Sequence, residues 1–489
     1  MTANEIGFAL LILGFALLIG KIMRVKFRWI QAIFLPSSIV AGALLLLAGP
    51  QVLGRFDGPW GANGLLTENM YATWKELPGL LISVIFATMF LGQKLPKMRK
   101  AAKLVGPQLT LGIALGSGQY VVGLLLAVLF ISGMPMMGAL IEMAFEGGHG
   151  TAAGMRDVME RLGFAEGGDL AVGLATVGIV TGIVVGVALI NWGVRTGKTE
   201  LVKGTAKMSI EEQKGLFRED EHYEAGRMTS RPASVEPFSL HLAIVFVSIL
   251  VGWLILEGLK WIEDHTYGQT VIDSTGGEAT QLQIFAYVPL FPMALLGGVL
   301  VQTIANRFRA GRIIDHQIML RIQGLALDFL IVSAIATLSL EAIGRNIGPF
   351  LLLAVGGITI TVFLFLFFAP RVIGRYWFER GLGDFGQATG VTATGLILMR
   401  IVDPDAKSPA FEAFGYKQLI FEPFFGGGLV TSLAIPVIYL WGPWRLLIVM
   451  ASLFIATVSF GLIYYRPRAL KERADWAAQQ AAESSDASA

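Results

Sequence analysis

Two short runs in this chain have the residue types to hold an ion: Gly147-Gly148-His149-Gly150-Thr151 and Gly386-Gln387-Ala388-Thr389-Gly390. Glycine lets the backbone turn and lets a ligand approach the peptide closely. Where such a run opens a helix, the first N–H groups have no intrahelical acceptor and can face an anion. The hydroxyls of Thr151 and Thr389 and the amide of Gln387 add polar atoms, and His149 reads as a hydrogen-bond partner that shapes its loop. This chemistry is capture and release. There is no cysteine, and His149 offers neither a nucleophile–base pair nor a metal cluster, so an enzyme is not expected. No Gly-x-x-x-x-Gly-Lys-Ser/Thr run is present for nucleotide-driven pumping.

A few charged residues fall inside apolar stretches, where they are expensive and mark function. Asp328 lies within Gly324–Leu330 and reads either as a cation- or proton-binding carboxylate or as the partner of Arg321, about two turns back. Glu142 and Glu146 are four residues apart and share a helix face just before the first loop. Arg156, just beyond that loop, can clamp a carboxylate bidentately; pairing with Asp157 or Glu160, or reaching for the surface, is the favoured reading. Glu422, before Pro423-Phe424-Phe425-Gly426-Gly427-Gly428, can line the cytoplasmic route.

The elements that must position these residues are membrane helices. Of 489 residues 54% are hydrophobic and only 15% charged, against about 25% in soluble domains, and the mean hydropathy is +0.64. With 38 Lys+Arg against 36 Asp+Glu there is no basic excess for a nucleic-acid partner. Runs long enough to span a bilayer fall near 5–20, 30–49, 77–92, 104–132, 169–193, 238–259, 284–305, 322–341, 347–369, 415–441 and 445–465. Cationic turns (Lys21 to Arg28, Lys94 to Lys103, Arg307 to Arg312, Arg371 to Arg380, Arg466 to Arg473) alternate with acidic ones (50–76, 257–283). The positive-inside rule then puts the N-terminus outside and the C-terminus in the cytoplasm. The alternation closes only if the glycine-rich stretches 134–160 and 381–399 each enter and leave on one side, the first from outside and the second from the cytoplasm. The polar run 195–237 reads as a cytoplasmic linker, and the tail 471–489 as disordered.

The chain also repeats itself. Phe34 to Gly42 reads like Leu290 to Gly298, Phe86 to Leu91 like Ile335 to Leu340, and Gly147 to Gly154 like Gly383 to Gly390, in the same order. Five spans per half is an odd number, so the second half is inverted, as in secondary transporters. The expected fold is therefore all-α and polytopic. It comprises a first repeat (1–194), the linker (195–237), a second repeat (238–441), and an extra transmembrane helix with a tail (442–489).

Glu146 to Ala153, followed by Arg161-Leu162-Gly163-Phe164 and Ala175-Thr176-Val177-Gly178, resembles the bacterial sodium/glutamate symporter family. Gly386 to Thr394 resembles that family's second re-entrant motif. Pro36 with Ala41-Gly42 and Phe86-Ala87-Thr88 with Leu91-Gly92 also fit. The likeness runs from about residue 5 to 441. It implies five-plus-five spans, re-entrant loops meeting at the centre, and sodium-coupled glutamate uptake across the bacterial plasma membrane. The fold implied resembles that of dimeric citrate carriers, so a homodimer is expected. Gly147, Gly148, His149, Gly150, Thr151, Gly386, Gln387, Thr389, Gly390 and Arg156 are the candidate substrate contacts. Sodium is the expected coupling ion, with Asp328, Thr151 and Thr389 as candidate ligands and no further cofactor. A proton-coupled carrier of another di- or tricarboxylate, or an anion channel, remains the alternative.

Overall fold

In a computed structural model, residues 2–32, 35–56, 58–59, 61–93, 98–201, 214, 224–266, 285–403 and 407–486 are described. Lys94, Lys97, Asp273, Glu278 and most of the linker lie outside them. The described secondary structure is helical. The main helices are α1 (Ala3–Lys26), α2 (Ser37–Ala48), α3 (Glu68–Thr88), α4 (Met98–Phe130), α5 (Leu140–Phe145), α6 (Gly148–Gly154) and α7 (Gly167–Arg195) in the first half. In the second half are α8 (Pro237–Thr266), α9 (Leu290–Arg307), α10 (His316–Ala336), α11 (Ile347–Phe363), α12 (Trp377–Val402), α13 (Ala410–Phe421) and α14 (Leu429–Trp441). They are followed by α15 (Pro443–Phe460) and α16 (Arg466–Asp486).

Among the described residues ten helices are long and apolar enough to cross a membrane by length and composition alone, and one of them, α12, is bent in its middle. The runs expected at 77–92 and 415–441 are not among the ten. The first begins earlier, at Glu68, capped by the Thr67 hydroxyl, and carries charge in its opening turns. The second is two short helices separated at 422–428, where three consecutive glycines cannot sustain a helix. The tail also differs from expectation: residues 466–486 continue as helix. Its Arg473 donates to the carbonyls of Pro370, Ile373 and Gly374 at 2.6, 2.7 and 2.9 Å. These are orphan acceptors at the end of the preceding helical segment.

Small residues let the helices meet backbone to backbone. A methyl group on Gly20 would stand 2.4 Å from the Ser37 carbonyl oxygen, and one on Gly252 would stand 2.5 Å from that of Met293. A methyl on Gly42 would meet Ile335 Cβ at 2.7 Å, and one on Gly298 the Ala87 carbonyl at 2.4 Å. So α1 packs on α2 as α8 packs on α9, and α2 packs on α10 as α9 packs on α3. Both α3 and α10 stop short, at Thr88 and Ala336.

Helix α12 is not a rod. Gly390 (φ −156°, ψ 40°) and Val391 (φ 65°, ψ 172°) are non-helical. A straight helix would hold Gly383 and Met399 about 24 Å apart. Instead a methyl on Gly383 would stand 2.7 Å from Met399 Sδ, and one on Gly386 would stand 2.6 Å from Gly395 Cα. The chain therefore doubles back at Gly390–Val391, and Gly383, Gly386 and Gly395 form the seam between two antiparallel arms. A β-branched residue at positive φ is strained, and Val391 is held there by its surroundings.

Candidate functional site

The first glycine run breaks the chain between α5 and α6. Gly148 has φ +66°, open to glycine and strained for other residues. A methyl group there would stand 2.2 Å from Val391 Cγ1. The two turns touch. The point of contact on the second hairpin is Gly390–Val391 and not the Gly383–Gly386 stretch expected from the repeat. The local packing at the two turns is alike: a methyl on Gly147 would meet Thr151, and one on Gly390 would meet the Thr394 hydroxyl.

A third broken segment, 422–428, joins both turns. The Gly426 N–H donates to Glu142 Oε1 at 2.8 Å, as does the Thr431 hydroxyl, also at 2.8 Å. Tyr120 donates to the other oxygen of Glu142 at 2.6 Å. Gly427 lies so close to Thr151 that a methyl would be 2.3 Å from its hydroxyl. On the other side Thr392, next to Val391, donates to Glu422 Oε1 at 2.9 Å. Gln418 donates to Thr392 at 2.7 Å and to Glu422 at 2.8 Å.

The carboxylates at the first turn are unequal. Glu142 is saturated with donors and serves to tie the loop to 426–431. Glu146 is buried, and its Oε2 has no hydrogen-bond partner; the hydroxyl of Thr151 is likewise buried and unpartnered. Buried polar atoms are nearly always satisfied, and two of the buried side-chain oxygens without a hydrogen-bond partner lie at this one turn. Carboxylate and hydroxyl oxygens are the ligands a hard cation takes.

Several expected residues lie elsewhere. Asp328 pairs with Lys21 at 3.4 Å, half exposed on the α1 side of α10, and neither meets Arg321 nor joins Thr151. Thr389 donates to the carbonyls of Phe385 and Gly386 at 2.9 and 3.2 Å, and its side chain fills the space beside Gly182 of α7. Gly386 is in the hairpin seam, so its N–H is spent within a helix arm. Gln387 accepts from Lys417. His149 Nε2 is 2.9 Å from the Thr176 hydroxyl, which fixes the loop against α7. Arg156 neither reaches the surface nor pairs with Asp157 or Glu160. It is buried and bonds Asp169 at 2.9 Å, with the Thr337 hydroxyl at 3.5 Å. Tyr71 donates to the Thr337 carbonyl at 3.0 Å, and the Ser339 N–H to Asp169 at 3.1 Å, so this cluster fastens the broken end of α10 to the first half.

The sequence reading missed Lys417. It stands inside the apolar run 415–441 with Gln418 and Glu422, and an ionisable residue there was signal enough. Lys417 is buried against Asp384 at 3.3 Å, and Gln108 donates to the other oxygen of Asp384 at 2.7 Å. Arg380, read as a cytoplasmic cation, is also buried; it donates to Gln108 Oε1 at 3.2 Å and to the Leu104 carbonyl at 2.6 Å.

Three broken segments meeting around buried carboxylates inside an apolar helical bundle are the setting of a carrier. Comparison with known proteins agrees. A sodium/glutamate symporter of Escherichia coli (strain K12) is 23% identical over 411 residues, covering 83% of this chain and 88% of that protein. The sodium/glutamate symporter of Shigella flexneri matches equally. The family model for sodium/glutamate symporters matches residues 4–403, and the chain belongs to that family.

Proposed function

We propose that the protein carries glutamate into the bacterium with sodium by alternating access in the plasma membrane. The observation that supports this most is the contact of the two turns, Gly148 against Val391. Broken segments that meet within a helical bundle hold a substrate at the midplane while either side can open. Sodium sits at Glu146 Oε2 and Thr151 Oγ1, which lack hydrogen-bond partners. Glutamate is held by the N–H groups of Gly148–Gly150, those of Gly147 and Thr151 being bonded to the Glu142 and Gly147 carbonyls, and by the first turn after Val391, where donors approach an anion without a bulky side chain. Glu142, Glu146 and Glu422 repel an anion in a low dielectric. The cation therefore arrives first, which makes coupling obligatory.

Both hairpins are proposed to be re-entrant, the first (134–160) from outside and the second (381–399) from the cytoplasm. The halves 1–194 and 238–441 are then inverted repeats joined by the cytoplasmic linker 195–237, with 442–489 as an appendage. Supporting this are the matched contacts of Gly20 with Gly252 and of Gly42 with Gly298, and the similar packing at Gly147 and Gly390. The likeness to dimeric citrate carriers favours a homodimer as the working unit.

Uptake of labelled glutamate into proteoliposomes tests the reading. An inward sodium gradient is expected to drive accumulation that other di- and tricarboxylates compete with poorly. Accumulation driven by a proton gradient alone would replace sodium with protons. Downhill flux without accumulation would make the protein a channel.

A further inference from the structure

We propose that Lys417 is a tethered cation. Its ammonium occupies, on the second hairpin, a place that a mobile coupling ion would otherwise take, so the exchangeable ion site lies on the first hairpin alone. This rests on the reading of the chain as a sodium-coupled carrier and specifies how that carrier is charged.

The geometry around Nζ is that of a cation site. Three oxygens surround it: Asp384 Oδ1 at 3.3 Å, Gln387 Oε1 at 2.5 Å and Gln418 Oε1 at 3.0 Å. One carboxylate and two amide carbonyls are the ligand types of a hard monovalent or divalent ion. The face of Phe421 closes a further side, its ring centre 3.8 Å from Nζ. Lys417 and Asp384 are both buried. The lysine stem is fixed as well, since a methyl on Gly112 would stand 2.4 Å from its Cε. Gln108 holds the remaining oxygen of Asp384. Two of the three ligands, Asp384 and Gln387, belong to the first arm of the hairpin, and the third, Gln418, binds Thr392 on the returning arm. The ammonium therefore pins both arms together.

The two hairpins contrast in this respect. At the second, an ammonium stands within 3.3 Å of all three oxygens; Asp384 Oδ1 accepts no hydrogen bond but has this cation as its ion-pair partner. At the first, Glu146 Oε2 and Thr151 Oγ1 accept no hydrogen bond, and neither residue forms an ion pair among the described residues. A carrier so arranged senses sodium at the first hairpin while the second stays charge-balanced through the cycle. Taking away the ammonium leaves the Oδ1 of buried Asp384 without its ion-pair partner, while Gln108 still holds Oδ2, and a sodium ion is the available substitute.

The test is the sodium dependence of glutamate uptake by the full chain in proteoliposomes. For Lys417→Ala the Hill coefficient for sodium is expected to rise by about one, since a second ion now binds with the transport-competent state. Lys417→Arg keeps the charge and is expected to keep the original coefficient, and the double variant Lys417→Ala/Asp384→Asn is expected to return to it. A Lys417→Ala protein whose sodium curve keeps the original steepness overturns the proposal. Should Lys417→Ala not fold, Asp384→Asn decides: slower uptake with an unchanged sodium curve supports a built-in cation, and a fall in the Hill coefficient shows that Asp384 served a mobile ion. Failure of the underlying reading looks different, because the unaltered protein would then ignore sodium altogether.

Discussion

Gly148 is the residue at which the two turns of the proposed site touch, and it has no room to change. A valine there must adopt φ +66° and overlap Val391 Cγ1. Gly148→Val is expected to abolish uptake while the protein still inserts and runs as a single species in size-exclusion chromatography; near-normal uptake would remove the turn from the site. Asp328 has become a residue of a different kind. Its half-exposed pair with Lys21 contributes about 1 kcal/mol or less. Asp328→Asn is therefore expected to leave the sodium half-saturation of uptake unchanged, and a marked shift would return the carboxylate to the ion path. Arg156 acts through Asp169. Arg156→Ala strands a mostly buried carboxylate and is expected to lower stability by about 3 kcal/mol. Asp169→Asn in the same chain should restore part of that loss, which thermal unfolding of the two variants in detergent can read.

At the level of elements, the second hairpin separates turn from seam. Gly386 faces Gly395 across the two arms at backbone contact, so a side chain there wedges them apart. Both Gly386→Val and Gly148→Val are expected to abolish uptake, and Gly386→Val is expected to lower the unfolding temperature further, because its side chain meets backbone of the returning arm whereas that at Gly148 meets the end of one side chain. Equal stability of the two variants would argue against the seam. The glycine loops themselves were legible, because glycine clusters within apolar runs are a local property. The place of the turn was not. Gly383, Gly386 and Gly390 look alike in sequence, and only the packing of Gly390 on Ile179 and of Thr389 against Gly182 decides which one lies at the bend. The same holds for 415–441, read as one span. Its glycines were visible, but the break at 422–428 acquires meaning from Glu142 and Thr151, which meet it from the other half.

At the scale of the whole molecule, orientation is open to a direct measurement because the chain contains no cysteine. Asn63 lies exposed in the connection between α2 and α3, and Arg309 in that between α9 and α10. A membrane-impermeant maleimide is expected to label Asn63→Cys in intact cells and Arg309→Cys only after lysis. The reverse pattern would invert the topology without touching the fold. The appended helix α16 enters this picture as a brace. Arg473 caps the carbonyls of 370–374, and the guanidinium of Arg375 lies 3.2 Å over the Trp476 ring, next to where the second hairpin begins.

Residence in a membrane, the helical class, most of the spans and the presence of two glycine-turned loops were determined by the sequence alone. Each follows from composition within a window of about twenty residues, which is the length of a crossing. The partners of the buried charges were decided by tertiary structure. Glu142 meets a backbone N–H 284 positions away, and Asp384 meets Lys417 and Gln108 from two other helices. A buried carboxylate must find compensation wherever packing supplies it. That choice is made between helices far apart in the chain, so local patterns mark which residues are costly but leave their partners open.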